Sequence, residues 1–348
     1  MPYEIVVEAP RKIVFREYQD RNPRNSEVLI KTLFSGIKTG TELNTYRGNS
    51  PFANETWDPD LRVFRPLKEG EEQPPFFPQP LGSWASGVVL QVGENVRQFK
   101  EGDLVHGMWM HRQTALVPED KLYPIRNGEN VERVLFTDPA RFALAGIHDA
   151  QIKLGDRVAI FGLGAIGMLA IQMAHLNGAA QVFAIDPNPS RRQIAKSIGA
   201  DFALDPAEID AGIAIKEATF SKGVDVAIEI SGVYSALQQA LRSVHKEGTV
   251  VTVSYYGQQL NHVDLSKEWH HNRITLRSSM PGWGCASRFY PMWDLARLEQ
   301  TVITMIEEQK LDVDPMFGDR ISFHNAPLAY EKIDRSLESG VKVIFVYD

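Results

Sequence analysis

Gly162, Gly164 and Gly167 stand in the spacing G-x-G-x-x-G, and Asp186 follows Gly167 by 19 residues. Each position has a chemical use. Glycine at 162 permits a tight turn from strand to helix. Glycine at 164 removes the side chain that would hold a pyrophosphate off the backbone, and glycine at 167 lets the helix press on the strand. The start of a helix offers unpaired N–H groups and the positive end of a dipole, so Leu163, Ala165 and Ile166 between the glycines belong to the same anion cradle. Asp186 is placed to accept hydrogen bonds from both hydroxyls of an adenosine ribose, and its charge opposes a 2′-phosphate; the expected cofactor is therefore NAD. Arg191 and Arg192 are near enough in sequence to temper that preference, and Arg191 is counted with the cofactor residues.

A glycine triplet alone is weak evidence; its flanking elements make it specific. The apolar segment 157–161 reads as a strand entering the glycines, 165–177 as the helix leaving them, and 181–186 as the strand ending on Asp186. A helix at 140–153 precedes this unit. A helix at 190–199, a strand at 224–231, a helix at 233–244 and strands at 249–254 and 274–279 follow it. Strands alternating with helices predict a doubly wound parallel sheet covered on both faces. The first part of the chain differs: extended segments at 5–8, 12–17, 27–34, 86–93, 104–106 and 114–118, broken by Gly and Pro, predict a β-rich barrel or sandwich. Between Phe52 and Pro80, six prolines with Trp57, Phe64, Phe76 and Phe77 predict a long loop acting as a lid or pocket wall. The tail carries helical patterns near 291–309 and 326–339 and a terminal strand, VKVIFV, expected to return to the first domain.

A chain of 348 residues suits two domains. The net charge of −7 and the lack of any basic run exclude a nucleic-acid partner. Cys285 is the single cysteine, so no intrachain disulfide and no four-cysteine zinc site can form, and it is read as an inert small residue. No run of about 18 apolar residues exists to span a membrane, and the N-terminus lacks a signal-peptide core. A cytoplasmic location is expected.

With this fingerprint behind a β-rich region, the sequence resembles the medium-chain dehydrogenase/reductase superfamily, nearest to its zinc alcohol and polyol dehydrogenases. The likeness runs through EVLIKTLFSGI at 27–37, GTELNTYRG at 40–48, GVVLQVGENVRQFKEGDLVHG at 87–107, 154–186 and KSIGADFALDP at 196–206. It implies a GroES-like catalytic domain over 1–137, a Rossmann domain over 138–285 and a return to the catalytic domain over 286–348. It also implies a homodimer or homotetramer, with 274–279 as a candidate sheet edge.

The departures from the family carry chemistry. Zinc-using members place cysteine where this chain has Thr39, beside Lys38, and Gly-His-Glu where it has Gly82, Ser83 and Trp84. Their Glu-Pro appears as Asp138-Pro139. One carboxylate does not make a zinc site, so no metal is expected; the competing arrangement is a rearranged site of His106 or His111 with Asp138. Without metal, the proton of a carbinol must go to a protein group. The catalytic candidates are Lys38, to stabilise an alkoxide or take its proton; Thr41, matching the family's proton relay; His111, as acid or base; and Asp138, as a substrate ligand or helix cap. Glu42 and Asn44 read as structural, and the adjacent His270 and His271 as polar surface.

The expected activity is NAD-dependent oxidation of a secondary alcohol of a polyol, sugar or sugar derivative. Trp57, Trp84 and Trp109 are candidate faces for a sugar ring, and Arg62 and Arg65 candidate ligands for its hydroxyls. The alternatives are a zinc-free NAD(P)H-dependent quinone or enone reductase and a nucleotide-binding protein without turnover.

Overall fold

A computed structural model describes residues 1–49, 55–67, 70, 75–126, 130–257, 263–281, 288–335 and 340–348. Cys285, and with it the reading of that residue as inert, lies outside these. The chain divides into two compact units, one of 1–135 with 319–339 and 343–348, the other of 136–318 with 340–342.

The first unit is GroES-like and β-rich. Its strands are β1 (Tyr3–Ala9), β2 (Lys12–Glu17), β3 (Glu27–Gly36), β4 (Glu55–Asp58), β5 (Val63–Pro66), β6 (Gln79–Pro80), β7 (Gly82–Val92), β8 (Leu104–Met110), β9 (Thr114–Pro118), β10 (Leu122–Pro124), β17 (Phe317–Ser322) and β18 (Lys342–Val346), with helices α1 (Thr39–Arg47) and α9 (Ala326–Arg335). The main sheet has the order β10-β8-β7-β3-β18-β17, with β9 also on β3. Alternation places Val28, Ile30 and Thr32 of β3 inward, where the two apolar side chains pack with Ala85, Val89, Val105 and Trp109. The terminal strand does return here: β18 runs antiparallel to β3, with Phe345 opposite Ser35. Within the stretch from Phe52 to Pro80, β4 and β5 form a hairpin with Trp57 5.0 Å from Phe64, and β6 pairs with β1; 52–54, 68–69 and 71–74 lie outside the described residues.

The second unit is a Rossmann fold. Strands β11 (Arg157–Phe161), β12 (Gln181–Ile185), β13 (Phe202–Leu204), β14 (Val224–Glu229), β15 (Val244–Thr252) and β16 (Thr275–Ser278) form a parallel sheet in the order β13-β12-β11-β14-β15-β16. The helices are α2 (Thr137–Ala150), α3 (Ala165–Leu176), α4 (Pro189–Ser197), α5 (Ala211–Ala218), α6 (Tyr234–Ser243), α7 (Glu268–His271) and α8 (Leu295–Glu307). Val158–Phe161 is buried throughout, as a strand covered on both faces requires. One face packs Val158 and Ile160 under α2, α3 and α8; the other packs Ala159 and Phe161 under α5 and α6. Helix α4 starts where its sequence says it should, with Pro189 in the first turn and the Asn188 side chain accepting the Arg191 N–H.

The tail divides differently from the expected return over 286–348. Helix α8 presents Leu298, Val302 and Ile306, a helical stripe, to the core beneath α2 and α3, so 288–318 belongs with the Rossmann unit and the return starts at Asp319.

Candidate functional site

Strand order reverses between β11 and β14, the place where ligands of open α/β sheets bind. The glycine turn lies at the end of β11. Gly162 has φ +96°, a left-handed conformation, and a Cβ there would stand 2.8 Å from the Ser231 nitrogen. A Cβ at Gly167 would stand 1.9 Å from the Gly162 carbonyl oxygen, so helix and turn touch through glycine. Gly164 caps α3 and has no atom within 4 Å of its missing Cβ, which leaves the helix start open. Ala165 and Ile166, both half-buried, form its first turn, whose N–H groups have no partner within the helix. Leu163 points inward, fully buried, and its N–H donates to Asp186 Oδ2 at 2.8 Å. Asp186 Oδ1 accepts the Asn188 N–H, also at 2.8 Å. A carboxylate has about four acceptor sites, so Asp186 both pins the glycine turn and retains capacity for ribose hydroxyls. Arg191 Nη1 lies 3.9 Å from Asp186 Oδ2, and its Nε is buried with no protein partner; Arg192 donates to the Asp186 carbonyl and pairs with Asp205 at 2.9 Å. The open helix start and this acid together fit a nicotinamide dinucleotide, which Gly162–Gly167, Asp186 and Arg191 would hold.

One group at this crevice escaped the sequence reading. Glu229, fully buried at the end of β14, accepts hydrogen bonds from the Ser231 N–H at 2.7 Å, the Ser231 hydroxyl and the Tyr256 hydroxyl. Burial pushes its carboxyl above the ordinary glutamate value, against the pull of Ser231 and Tyr256. The sequence signal was a single acid, Glu229, inside the otherwise apolar run VAIEI at 226–230.

In the GroES-like unit, Lys38 precedes α1, half-buried, and Thr41 is exposed in its first turn. Both sit over a buried polar chain. Glu42 accepts the Lys38 backbone N–H at 2.8 Å, the Tyr330 hydroxyl, and His111 Nε2–H at 3.1 Å. His111 Nδ1 meets Ser35 Oγ at 2.6 Å, and Ser35 Oγ meets the Tyr347 hydroxyl at 2.8 Å. Burial of Glu42 works against its charge, but the charge and hydrogen bond of His111, then Tyr330 and the Lys38 N–H, outweigh it and hold the carboxyl below the ordinary value. Serine, histidine and acid in line would suit nucleophilic catalysis. Here Ser35 and His111 are 0% exposed and Glu42 3%, so the three lie beneath the surface. His111, expected as an acid or base, is placed as a buried hydrogen-bond partner of Glu42, below the segment carrying Lys38. Asn44 donates to the Gly40 carbonyl, as a structural residue does.

Asp138 lies in the second unit, in the first turn of α2 and 1% exposed, with Oδ1 2.7 Å from Arg141, which also pairs with Glu299. Asp138, expected as a substrate ligand or helix cap, thus takes part in an ion pair within its own unit. His106 is buried, accepts the Trp84 indole N–H at 2.9 Å, and burial lowers its pKa to about 3. Trp109 is core and donates to Thr32, and Trp84 is 2% exposed, so neither offers a free face to a sugar. Among the described residues, no three His, Cys, Asp or Glu side chains converge as metal ligands, and no helix is long and apolar enough to cross a membrane.

Comparison with known proteins agrees with this architecture. The family described as zinc-binding dehydrogenase matches residues 165–297. D-guloside 3-dehydrogenase of Escherichia coli K12 is 33% identical over 98% of both chains. (R,R)-butanediol dehydrogenase of Bacillus subtilis is 28% identical over 72% of this chain and 75% of its own. A zinc-binding dehydrogenase of Sinorhizobium meliloti, solved with NADP bound, superposes with a TM-score of 0.78 at 22% identity over 99% of both chains. The chain belongs to the medium-chain dehydrogenase/reductase superfamily. It is an NAD(P)-dependent oxidoreductase of the alcohol dehydrogenase type, acting on CH–OH groups.

Proposed function

We propose that this enzyme oxidises a secondary hydroxyl of a sugar, polyol or sugar derivative with NAD, without a catalytic metal. The observation that carries the substrate class is the full-length likeness, 33% identity over 98% of the chain, to an enzyme named for oxidising a D-guloside. Asp186 supports NAD over NADP, because its charge faces the ribose end of the cradle. The metal-free reading rests on donor chemistry: Thr39, Ser83 and Trp84 occupy positions where zinc-using relatives carry cysteine, histidine and glutamate, and these residues do not fit a zinc ion.

The nicotinamide, when bound, supplies the hydride acceptor. The chain's own task is the hydroxyl proton. The Lys38 ammonium stabilises the developing alkoxide, and Thr41, exposed one turn along α1, passes the proton towards solvent. Glu42 fixes the Lys38 backbone from below. The active assembly is a homodimer or homotetramer.

The test is an initial-rate survey of glycosides, free sugars and polyols with NAD+ and NADP+, beside quinones and enones with NADH and NADPH, on protein of measured metal content. Oxidation of a glycoside or polyol with NAD+ is expected. Reduction of quinones or enones alone overturns the substrate reading, and tightly bound stoichiometric zinc overturns the metal-free one.

A further inference from the structure

Three neighbouring strand ends meet at one buried carboxyl. Glu229 ends β14 and pairs in register with Phe161, the residue before the glycine turn. Its carboxyl holds the turn that follows it, through the Ser231 N–H at 2.7 Å and the Ser231 hydroxyl, with the Gly232 N–H at 3.4 Å. It also takes the hydroxyl of Tyr256, from the loop after β15, whose ring stacks on Tyr234 at 4.8 Å. The Ser231 backbone is the surface against which Gly162 is packed, close enough that a single methyl group at 162 would collide with it. Gly162 in turn sets the entry into α3. Among the described residues, the donors to the Glu229 carboxyl come from loops at the carboxyl edge of the sheet.

We propose that Glu229 is a positioning residue for the nicotinamide cofactor: by tying the 230–232 turn and Tyr256 together, it sets the wall against which the glycine turn adopts its binding shape. The inference rests on the cofactor reading above. Glu229 touches no ligand itself; it acts through Ser231 and Tyr256. A carboxylate accepts at both oxygens, whereas an amide at the same place points two donors at groups that are themselves donors. Glu229→Gln therefore opposes Ser231 or Tyr256 without changing the volume of the side chain.

The test is NADH and NADPH titration by fluorescence on wild type, Glu229→Gln, Tyr256→Phe and the double variant, reading dissociation constant and binding stoichiometry separately. A purely structural role lowers the stoichiometry, because fewer molecules are folded, and leaves the affinity of the folded ones unchanged. A positioning role weakens affinity at full stoichiometry. The expected result is about a tenfold weaker dissociation constant for Glu229→Gln, in line with a buried hydrogen bond lost. A smaller weakening is expected for Tyr256→Phe, with the double variant no weaker than Glu229→Gln alone. Should Glu229→Gln fail to fold, Tyr256→Phe, at a partly buried site, carries the same comparison. Unchanged affinity in both variants overturns the proposal while leaving the cofactor reading standing. Absence of binding by wild type overturns the cofactor reading, and this inference with it.

Discussion

Replacing His111 with leucine separates two accounts of that residue. It removes one of three donors to the buried Glu42 carboxylate and leaves the Lys38 N–H and the Tyr330 hydroxyl in place. Breaking a buried pair by removing one partner costs about 3–5 kcal/mol. With two donors remaining, the lower end applies, about 3 kcal/mol, which for a unit of this size is a fall of roughly 6–12 °C in the unfolding midpoint. Pairing the change with Glu42→Met removes the stranded charge and restores part of the loss, as a double-mutant cycle read by scanning calorimetry or circular dichroism reports. The sign with pH follows from the lowered Glu42 value. Its stabilisation is present above the unfolded value of 4.5 and is lost as pH falls through the lower folded value. Glu42→Gln abolishes that acid-side contribution. A His111→Leu protein that unfolds like wild type at pH 7 but has lost turnover would refute the buried-anchor account and return His111 to the chemistry.

Other consequences are equally direct. His106, with its pKa lowered to about 3, stays neutral in the folded state while the unfolded chain protonates below 6.5. Stability then falls by up to about 1.4 kcal/mol per pH unit between those values, and His106→Gln flattens the slope in acid unfolding curves. Gly164→Ala adds a Cβ with no protein atom within 4 Å, so it keeps the unfolding midpoint of wild type yet weakens NADH binding by about tenfold, since its side chain stands where the phosphate must approach. Gly167→Ala, which drives a methyl into the Gly162 carbonyl, lowers the midpoint instead. Asp186→Ser loses an acceptor from Leu163 and a charge beside Arg191; competitive titration is expected to show NADH weakened and the ratio shifted towards NADPH. Exhaustive dialysis against a chelator leaves turnover unchanged if the metal-free proposal holds, and loss of activity restored by zinc overturns it.

The Rossmann unit was open to reading because its signals are local: the glycine spacing, the apolar β11 run and the cap at Asn188 each sit within a few residues of one another. Helix α1 was not read. TGTELNTYR has only Leu43 and Tyr46 as apolar residues on its buried face, beside Glu42, too few to give a helical stripe. The partners of Glu42 were illegible for a different reason. Tyr330 lies 288 residues away and His111 lies 69 away, and no spacing rule links groups brought together by tertiary packing. Lone histidines and tryptophans invite functional readings, whereas His111, Trp84 and Trp109 are interior groups whose polar atoms find partners across strands. The boundary of the return was misplaced because α8 carries an apolar stripe whose destination a sequence does not state.

The position of β18 bears on how the chain is made. Residues 344–346 lie against 34–36, in the middle of a sheet whose other strands are mostly synthesised first. The intervening Rossmann segments emerge as a continuous block and have their own core, whereas β3, made before them, waits for β18, made after them, to complete its sheet. Until β18 is made, β3 and β17 have an empty slot between them. Deleting residues 342–346 therefore removes an interior strand.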